Sequence, residues 1–321
     1  INSMYEDILA VYDSSDAPYI LKTRELIGSP GVTDVHLTEG ENIWFRRHGE
    51  LIETDVYVPS EGIMMISSNV FMLGSWDRGN RACDFDGKRL RLRFSRSKRK
   101  SQLFVRVLPG DVPLAEKIGS IGVISKMIPD ILSPGLFLVS GSTGSGKSTF
   151  LASYLQHLLD NFRIHVVTIE DPIEYVLKNG EGHVSQREIP DDVKTYDEPV
   201  RDSLREDPDV ILVGEIRDSP TASAALTVAE TGHLVLGTVH ASSPTGVIER
   251  MNGLLSGLPD AKIRLAFSLR GVVHLTLRND GEKAERKASI LPVDGEAARA
   301  ILRDELKDLA KKTTAERLKN A

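Results

Sequence analysis

The stretch GLFLVSGSTGSGKST at 135–149 constrains the fold of this chain more than any other. The run Leu136–Ser140 predicts a short buried strand, and the apolar residues that recur at helical spacing after Thr149 predict a helix. The loop between them fits the pattern Gly-x-x-x-x-Gly-Lys-[Ser/Thr], with its fixed positions at Gly141, Gly146, Lys147 and Ser148. Strand, glycine-rich loop and helix in this order are the context that a phosphate-binding loop requires. The sequence therefore predicts a nucleotide site on an α/β domain.

Each part of this loop has a physical role in holding phosphate. Glycines let successive backbone N–H groups turn inward onto phosphate oxygens, and the following helix adds the positive end of its dipole. The Lys147 ammonium is expected to reach the β- and γ-phosphates, and the Ser148 hydroxyl to ligate Mg²⁺. ATP and Mg²⁺ are the predicted cofactors, since no Asn-Lys-x-Asp motif for reading guanine follows the loop. The candidate nucleotide-binding residues are Gly141, Ser142, Thr143, Gly144, Ser145, Gly146, Lys147, Ser148 and Thr149.

Two carboxylates follow apolar strands beside this loop. Glu170 ends the run VVTIE, which Pro172 then stops, and Glu215 ends the run DVILVGE. One such residue alone is as often a helix cap, but two favour a hydrolase, which needs one carboxylate for the metal shell and one to polarise water. The residues alone leave open which is which. His233 and His240 bracket a further strand, and composition favours a structural role for such histidines.

The organisation of the chain changes near residue 110. Residues 4–109 are predicted to form a small α/β module, and the proline- and glycine-containing stretch at 110–117 a linker. From 118 to 321 strands and helices alternate, which predicts a largely parallel sheet covered by helices. The tail from about residue 252 is predicted to be helical, because leucines and isoleucines recur there among many charges.

A basic run lies in the N-terminal module. Eight of the thirteen residues from Lys88 to Lys100 are basic. The segment 89–94 alternates strictly, so its arginines share one face of a strand while Leu90, Leu92 and Phe94 share the other. A second strand at 103–108 would close a hairpin. Taken alone, such a run is more often a solvated face than a binding site.

Composition limits the function classes. The net charge of −6 argues against a dedicated nucleic-acid binder. No run approaches the ~18 apolar residues that cross a bilayer, and the N-terminus lacks the pattern of a signal peptide. The single cysteine, Cys83, agrees with a reducing compartment. A cytoplasmic location is expected.

Further motifs follow the phosphate loop in a fixed order. They are TIEDPIEYV at 168–176, REDPDVILVGEIRD at 205–218 and AETGHLVLGTVHA at 229–241. In this order they resemble the Asp box, Walker B and His box of the PilT/GspE-type secretion ATPase superfamily, which includes motors of type II secretion, type IV pili and type IV secretion. GVTDVHLTEG at 31–40 and LFVRVLP at 103–109 extend the resemblance into the N-terminal module.

The resemblance implies a PAS-like α+β N-terminal domain at 4–109, a RecA-like P-loop ATPase domain at 118–321 and a homohexameric ring. The implied roles are phosphate and Mg²⁺ contact for Lys147, Ser148 and Thr149, water activation for Glu170, the metal shell for Glu215, γ-phosphate sensing for His240, and trans-acting fingers for Arg91, Arg93 and Arg106. The chain has one cysteine, which excludes a four-cysteine element, and a long N-terminal region is not expected. It therefore resembles the compact subgroup of pilus retraction ATPases and of ATPases from Dot/Icm-like or conjugative type IV systems.

The expected function is that of an ATP-hydrolysing hexameric motor. It would power a type IV secretion, conjugation or type IV pilus machine, and would lie at the inner membrane through the membrane components of that machine. A RecA-like ring that translocates nucleic acid is the alternative, because the basic hairpin could contact phosphates. The acidic net charge and the secretion-type motifs favour the first reading, so no direct nucleic-acid binding is expected. A small-molecule kinase is disfavoured, since no acceptor pocket is evident.

Overall fold

The computed structural model describes residues 17–69, 79–96, 100–108, 110–126, 133–279 and 284–318. The chain divides into two compact units, Ile1–Gly110 and Asp111–Ala321, each of which is described by itself. Residues 4–16 of the predicted N-terminal module, 97–99 of the basic run and Pro109 lie outside the described residues.

The N-terminal unit is an antiparallel sheet with helices packed on one face. Its strands are β1 (Val32–Thr38), β2 (Asn42–Arg47), β3 (Glu50–Tyr57), β4 (Gly79–Phe85), β5 (Lys88–Arg96) and β6 (Ser101–Val107), in the order β3-β2-β1-β6-β5-β4. The helices are α1 (Pro18–Gly28) and α2 (Gly62–Asn69). Residues from both helices and from the inner face of the sheet form one apolar core. The unit is thus a small α+β domain.

Strand β5 has the alternation that its sequence predicts. Leu90, Leu92 and Phe94 are buried in the core, while Arg91 and Arg93 lie on the opposite face. Strand β6 pairs with β5 to close the predicted hairpin. The hairpin prediction is confirmed, because a side-chain period of two fixes the faces once one face is buried.

The second unit contains an eight-stranded sheet. Its strands are β7 (Gly135–Gly141), β8 (His165–Glu170), β9 (His183–Glu188), β10 (Val210–Val213), β11 (Leu234–Val239), β12 (Leu269–Asn279), β13 (Ala284–Pro292) and β14 (Thr314–Leu318), in the order β14-β13-β12-β7-β11-β10-β8-β9. The helices are α3 (Ala115–Ile118), α4 (Ser120–Ile124), α5 (Lys147–Asn161), α6 (Asp197–Asp202), α7 (Ser219–Glu230), α8 (Pro244–Leu255), α9 (Ala261–Ser268), α10 (Gly295–Leu302) and α11 (Leu306–Lys312), with a 3₁₀ turn at Ser203–Arg205. Among the described residues no helix is long and apolar enough to cross a membrane.

Helices cover both faces of this sheet. Helix α5 packs with Phe137 and Val139 of β7 in one core, and α7 packs with Leu136 and Leu138 in the other. Every residue of β7 is buried as a result. Strands β12, β7, β11, β10, β8 and β9 run parallel, so their carboxyl ends meet at one edge of the sheet. The residues that follow β7, β8, β10 and β11 therefore lie at that edge.

The prediction of a helical tail is wrong for part of its length. Strand β12 pairs in parallel with β7, β13 returns beside it, and β14 forms the sheet edge. The run LRGVVHLTL is rich in β-branched residues, which favours a strand when a partner strand is at hand. The tail is helical before and after these strands, in the end of α8, in α9, in α10 with buried Ile301 and in α11 with buried Leu309. The part of the tail for which the helix prediction is wrong is thus mainly the two strands β12 and β13.

Candidate nucleotide-binding and hydrolysis site

The loop after β7 has the backbone of a phosphate-binding loop. Gly141, Gly144 and Gly146 have φ values of 147°, 79° and 94°, which residues other than glycine rarely adopt. A Cβ at Gly141 would lie 2.4 Å from the carbonyl oxygen of Leu275 on the neighbouring strand β12. The sequence therefore requires glycine here for two reasons, conformation and space. The loop delivers the chain directly into α5 at Lys147.

The loop also leaves polar groups without protein partners. Ser145 is only 2% exposed, and its buried hydroxyl makes no hydrogen bond to another described residue. Helix α5 begins after Gly146 without a side-chain cap, so its first N–H groups have no side-chain acceptor. An orphaned hydroxyl and an uncapped helix N-terminus beside it are donors for an anion. These residues fit the phosphates of a nucleotide.

The Lys147 side chain folds back over this loop. Its Nζ donates hydrogen bonds to the carbonyl oxygens of Gly141 at 2.9 Å and Ser142 at 3.1 Å. Burial lowers the pKa of Lys147, while the nearby carboxylates of Glu215 and Glu174 act to raise it. The ammonium is thus held at the loop and within the field of the acidic residues.

Glu170 lies at the end of β8, beside the loop. Its Oε1 accepts hydrogen bonds from Thr168 Oγ1 at 2.7 Å and from Gln186 Nε2 at 3.1 Å. Loss of hydration raises the pKa of Glu170 to about 7, which those two hydrogen bonds oppose and the carboxylates of Glu174 and Glu188 increase. A carboxyl group with this pKa can accept a proton from water at neutral pH. Glu170 and Ser148 line the same small cavity of about 30 Å³.

Glu215 and His240 meet at the next two strand ends. Glu215 follows β10 by two residues and its side chain is 14% exposed. His240 directly follows β11, and its Nε2 lies 3.2 Å from Glu215 Oε1. Glu215 Oε2 forms a close ion pair with Arg217. His233 precedes the same strand β11 and lies at its opposite end, away from these residues.

The oxygen donors at this edge suit a hard divalent cation. Ser148 offers a hydroxyl and Glu215 a carboxylate, the ligand types that Mg²⁺ prefers. In the described part of the chain no group of three or more His, Cys, Asp or Glu side chains could hold a metal ion.

The three predicted finger residues lie together in the N-terminal unit. Arg91 and Arg93 on β5 and Arg106 on β6 line one concave surface, a cavity of about 580 Å³ that also includes Asp34 and His36 of β1. Arg106 Nε donates to Asp34 Oδ1 at 2.8 Å, so this arginine is ion-paired. The guanidinium groups of Arg91 and Arg93 form no hydrogen bond or ion pair with the side chain of another described residue. Within the described residues, the cavity therefore presents two guanidinium groups without an ion-pair partner.

Known proteins support the same assignment of fold. A family described as "Type II/IV secretion system protein" matches residues 131–304, which is more than half of the chain. The chain belongs to this family. The "Type IV pilus retractation ATPase PilT" of Pseudomonas aeruginosa is 45% identical over 174 residues, which cover 54% of this chain and 50% of that protein. The "Type II secretion system ATPase E" of Vibrio cholerae is 32% identical over 272 residues, 78% of this chain and 52% of that protein.

Solved structures of family members resemble the whole described architecture. The pilus retraction motor PilT with bound ADP is 30% identical with a TM-score of 0.80, over 91% of this chain and 87% of that one. The Legionella pneumophila ATPase DotB is 25% identical with a TM-score of 0.75, over 92% and 87%. The predicted family and the predicted fold, a RecA-like ATPase domain preceded by a small α+β domain, are confirmed. The chain spans about half the length of the two curated relatives.

Several residues at the site of this family member were not predicted from sequence. Gln186 on β9 donates to Glu170, and Arg217 pairs with Glu215. The Tyr175 hydroxyl hydrogen-bonds the Thr149 hydroxyl at 2.8 Å, so Thr149 is held by protein. The guanidinium of Arg286 on β13 lies 3.8 Å from the position that a Cβ would occupy at Gly146. Arg217 and Tyr175 stand inside quoted motifs, at 205–218 and 168–176, whereas Gln186 and Arg286 come from strands whose pairing the sequence does not reveal.

Proposed function

We propose that this chain is a Mg²⁺-dependent ATPase that converts ATP to ADP and phosphate and works as one subunit of a homohexameric motor. The observation that carries the proposal is the meeting of four strand ends. The phosphate-binding loop follows β7, Glu170 with its pKa near 7 ends β8, and the Glu215–His240 pair follows β10 and β11. The names of relatives that cover much of the chain, "ATPase" among them, support it.

The geometry supports a role for each of the chain's own site residues. The loop N–H groups, the Ser145 hydroxyl and the Lys147 ammonium bind and orient the phosphates. Glu170, as a carboxylate, accepts the proton of the attacking water at Oε2, because its Oε1 is occupied by the Thr168 and Gln186 donors. His240 lies against Glu215, where it can sense the terminal phosphate. Mg²⁺ supplies charge neutralisation of the phosphates when bound, and Ser148 and Glu215 would hold it.

The unpaired arginines complete the proposal. Negative charge develops on the phosphoryl group during its transfer, and a planar guanidinium stabilises that charge. In many systems a neighbouring subunit supplies the guanidinium. Arg91 and Arg93 have no partner among the described residues, so we assign them the finger role. Arg106 differs because Asp34 neutralises it, so its role is to hold the shape of the cavity beside Arg91, its cross-strand neighbour.

The machine is proposed from the relatives. Proteins similar to this chain are named for type IV pilus retraction, twitching motility and type II secretion, and DotB is similar in structure. We infer a cytoplasmic motor for a type IV pilus or a type IV secretion or conjugation machine. It would associate with the inner membrane through membrane components of that machine rather than by its own insertion. Direct nucleic-acid binding is not part of this proposal, in line with the net charge of −6.

Subunit mixing tests the proposed division of the site. An Arg91→Ala/Arg93→Ala variant and a Lys147→Ala variant should each lose hydrolysis, the first by about 10³–10⁵-fold if the arginines act as fingers. Mixed under conditions of subunit exchange, they should regain part of the wild-type rate of phosphate release. Mixed rings contain interfaces that pair an intact loop from one chain with intact arginines from another.

The matched control is Arg163→Ala, which removes an exposed arginine that is ion-paired with Glu181. It should hydrolyse ATP at the wild-type rate. No recovery on mixing, with exchange shown by labelled subunits, would confine catalysis to one chain. Strong stimulation of the wild type by DNA, with a steep salt dependence, would instead favour the nucleic-acid translocase.

A further inference from the structure

Arg217 joins two of the acidic motifs at the site. Its Nη2 is ion-paired with Glu215 Oε2, and its Nη1 lies 3.9 Å from Asp171 Oδ2. Asp171 directly follows Glu170 at the end of β8, and Glu215 follows β10. One guanidinium therefore touches carboxylates from two neighbouring strand ends. Neither contact belongs to the roles described above.

Hydrogen bonds hold the backbone around Arg217, while more than half of its side chain is exposed. The Ile216 N–H donates to the Thr238 carbonyl at 2.8 Å, and the Arg217 carbonyl accepts a hydrogen bond from Arg250 Nη2 at 3.1 Å. The Asp218 side chain caps α7 by accepting from Thr221 N–H. The Arg217 side chain itself is 55% exposed. The guanidinium can leave Glu215 without disturbing the chain around it.

The charges of the site explain why a cation is needed there. Glu174 and Glu215 lie close enough to Lys147 of the loop to act on its charge, and Asp171 lies near the Arg217 guanidinium. Both oxygens of Glu215 are engaged, Oε1 by His240 and Oε2 by Arg217. A divalent cation that takes Oε2 of Glu215 as its ligand would compete with Arg217 for that oxygen. The two cations are therefore alternatives.

We propose that Arg217 is a positioning residue that holds and neutralises Glu215 when no divalent cation is bound, and that Mg²⁺ displaces it. The inference rests on the proposed function. It predicts that loss of Arg217 changes nucleotide affinity differently with and without Mg²⁺. Without Mg²⁺, loss of Arg217 leaves a partly buried carboxylate uncompensated beside the phosphates, so binding weakens. With saturating Mg²⁺ the metal replaces the arginine, and its loss has little effect.

The test measures binding rather than turnover. A fluorescent ADP analogue is titrated into the full chain and followed by anisotropy, once in excess EDTA and once in excess Mg²⁺. Arg217→Gln should weaken the EDTA affinity about tenfold and change the Mg²⁺ affinity less than about threefold. Arg217→Lys, which keeps the charge, should restore most of the EDTA affinity. The control is Arg205→Gln, which removes the same charge from an 83% exposed side chain paired with Asp202 and should change neither value.

A second background separates neutralisation from direct phosphate contact. In Glu215→Gln there is no carboxylate to neutralise, so adding Arg217→Gln should no longer weaken binding in EDTA. Equal weakening in both backgrounds would show that Arg217 acts on the phosphates directly, and would overturn the inference. A variant that weakens binding by the same factor with and without Mg²⁺ would overturn it too, since the Mg²⁺ measurement reports whether the site is intact. A wild type that binds no nucleotide in either condition contradicts the proposed function itself.

Discussion

Because its pKa is raised, the ionised carboxyl group of Glu170 destabilises the folded state at neutral pH. Burial takes its pKa from the usual 4.5 to about 7. Between those values the folded chain keeps a proton that the unfolded chain has lost, so the free energy of unfolding falls as pH rises from 4.5 to 7 and stays low above it. Glu170→Gln cannot ionise, and its amide oxygen can still accept from Thr168 and Gln186. The variant is therefore expected to be more stable than the wild type at alkaline pH.

The size of the gain follows from the two pKa values. At about 1.4 kcal/mol for each factor of ten, the step from 4.5 to about 7 corresponds to about 3 kcal/mol above pH 8. At pH 5 the gain should be below about 1 kcal/mol, because Glu170 is then protonated in the folded state and only partly ionised in the unfolded one. For a unit of about 200 residues, about 3 kcal/mol corresponds to roughly 6–12 °C in Tm.

Scanning calorimetry of the nucleotide-free protein measures this difference. The unfolding transition of the second unit is identified as the one whose Tm rises when ADP is added. Wild type and Glu170→Gln are compared at pH 5 and pH 8.5, with Glu181→Gln as the control because that side chain is 58% exposed. The Tm gap should widen with pH for Glu170→Gln and stay near zero for Glu181→Gln. A gap of equal size at both pH values, or a variant that melts earlier at pH 8.5, would refute the argument from burial.

Three further outcomes are expected. ATP turnover should rise with pH through a midpoint near 7, since Glu170 must lose its proton to act as a base; phosphate release from pH 5.5 to 9 measures this, and a flat profile would contradict the role. Lys147→Ala should abolish hydrolysis and weaken binding of the fluorescent ADP analogue, because it removes the cation that faces the phosphates; unchanged turnover would refute the motor proposal. Asp218→Ala should lower stability by about 1 kcal/mol through loss of the α7 cap while Asp218→Asn keeps most of it, as measured by the Tm of the same transition.

Local patterns in the sequence predicted the central part of the site. The phosphate-binding loop needs only a strand, glycines at fixed spacing and a helix, all within 135–149, and each forms where the sequence places it. Glu170 likewise follows an apolar run that ends where the structure ends β8. These predictions succeed because every interaction that decides them lies within a few residues along the chain.

Pairing between distant strands decided the rest. Strand β12 is a strand because it lies beside β7, where His274 is paired with Ser140, 134 residues earlier. The Gln186 contact with Glu170 depends in the same way on β9 lying next to β8. Neither pairing leaves a mark on the local sequence, and the amphipathic pattern near Ile301 favoured helix for the whole tail. The β-branched residues of β12 favour a strand, but such a preference depends on a partner strand that only the tertiary structure supplies.

The two histidines around β11 show how strand direction can separate function from structure. They flank the same apolar run, and residue type alone favours a structural role for both. In a parallel sheet, however, ligands bind beyond the carboxyl ends of the strands. Strand β11 runs parallel to β7 and β10, so His240 must follow it to the edge where the loop and Glu215 lie, and His233 must lie at the other edge. The predicted parallel sheet therefore already contained the distinction, because chain direction assigns one histidine to each edge.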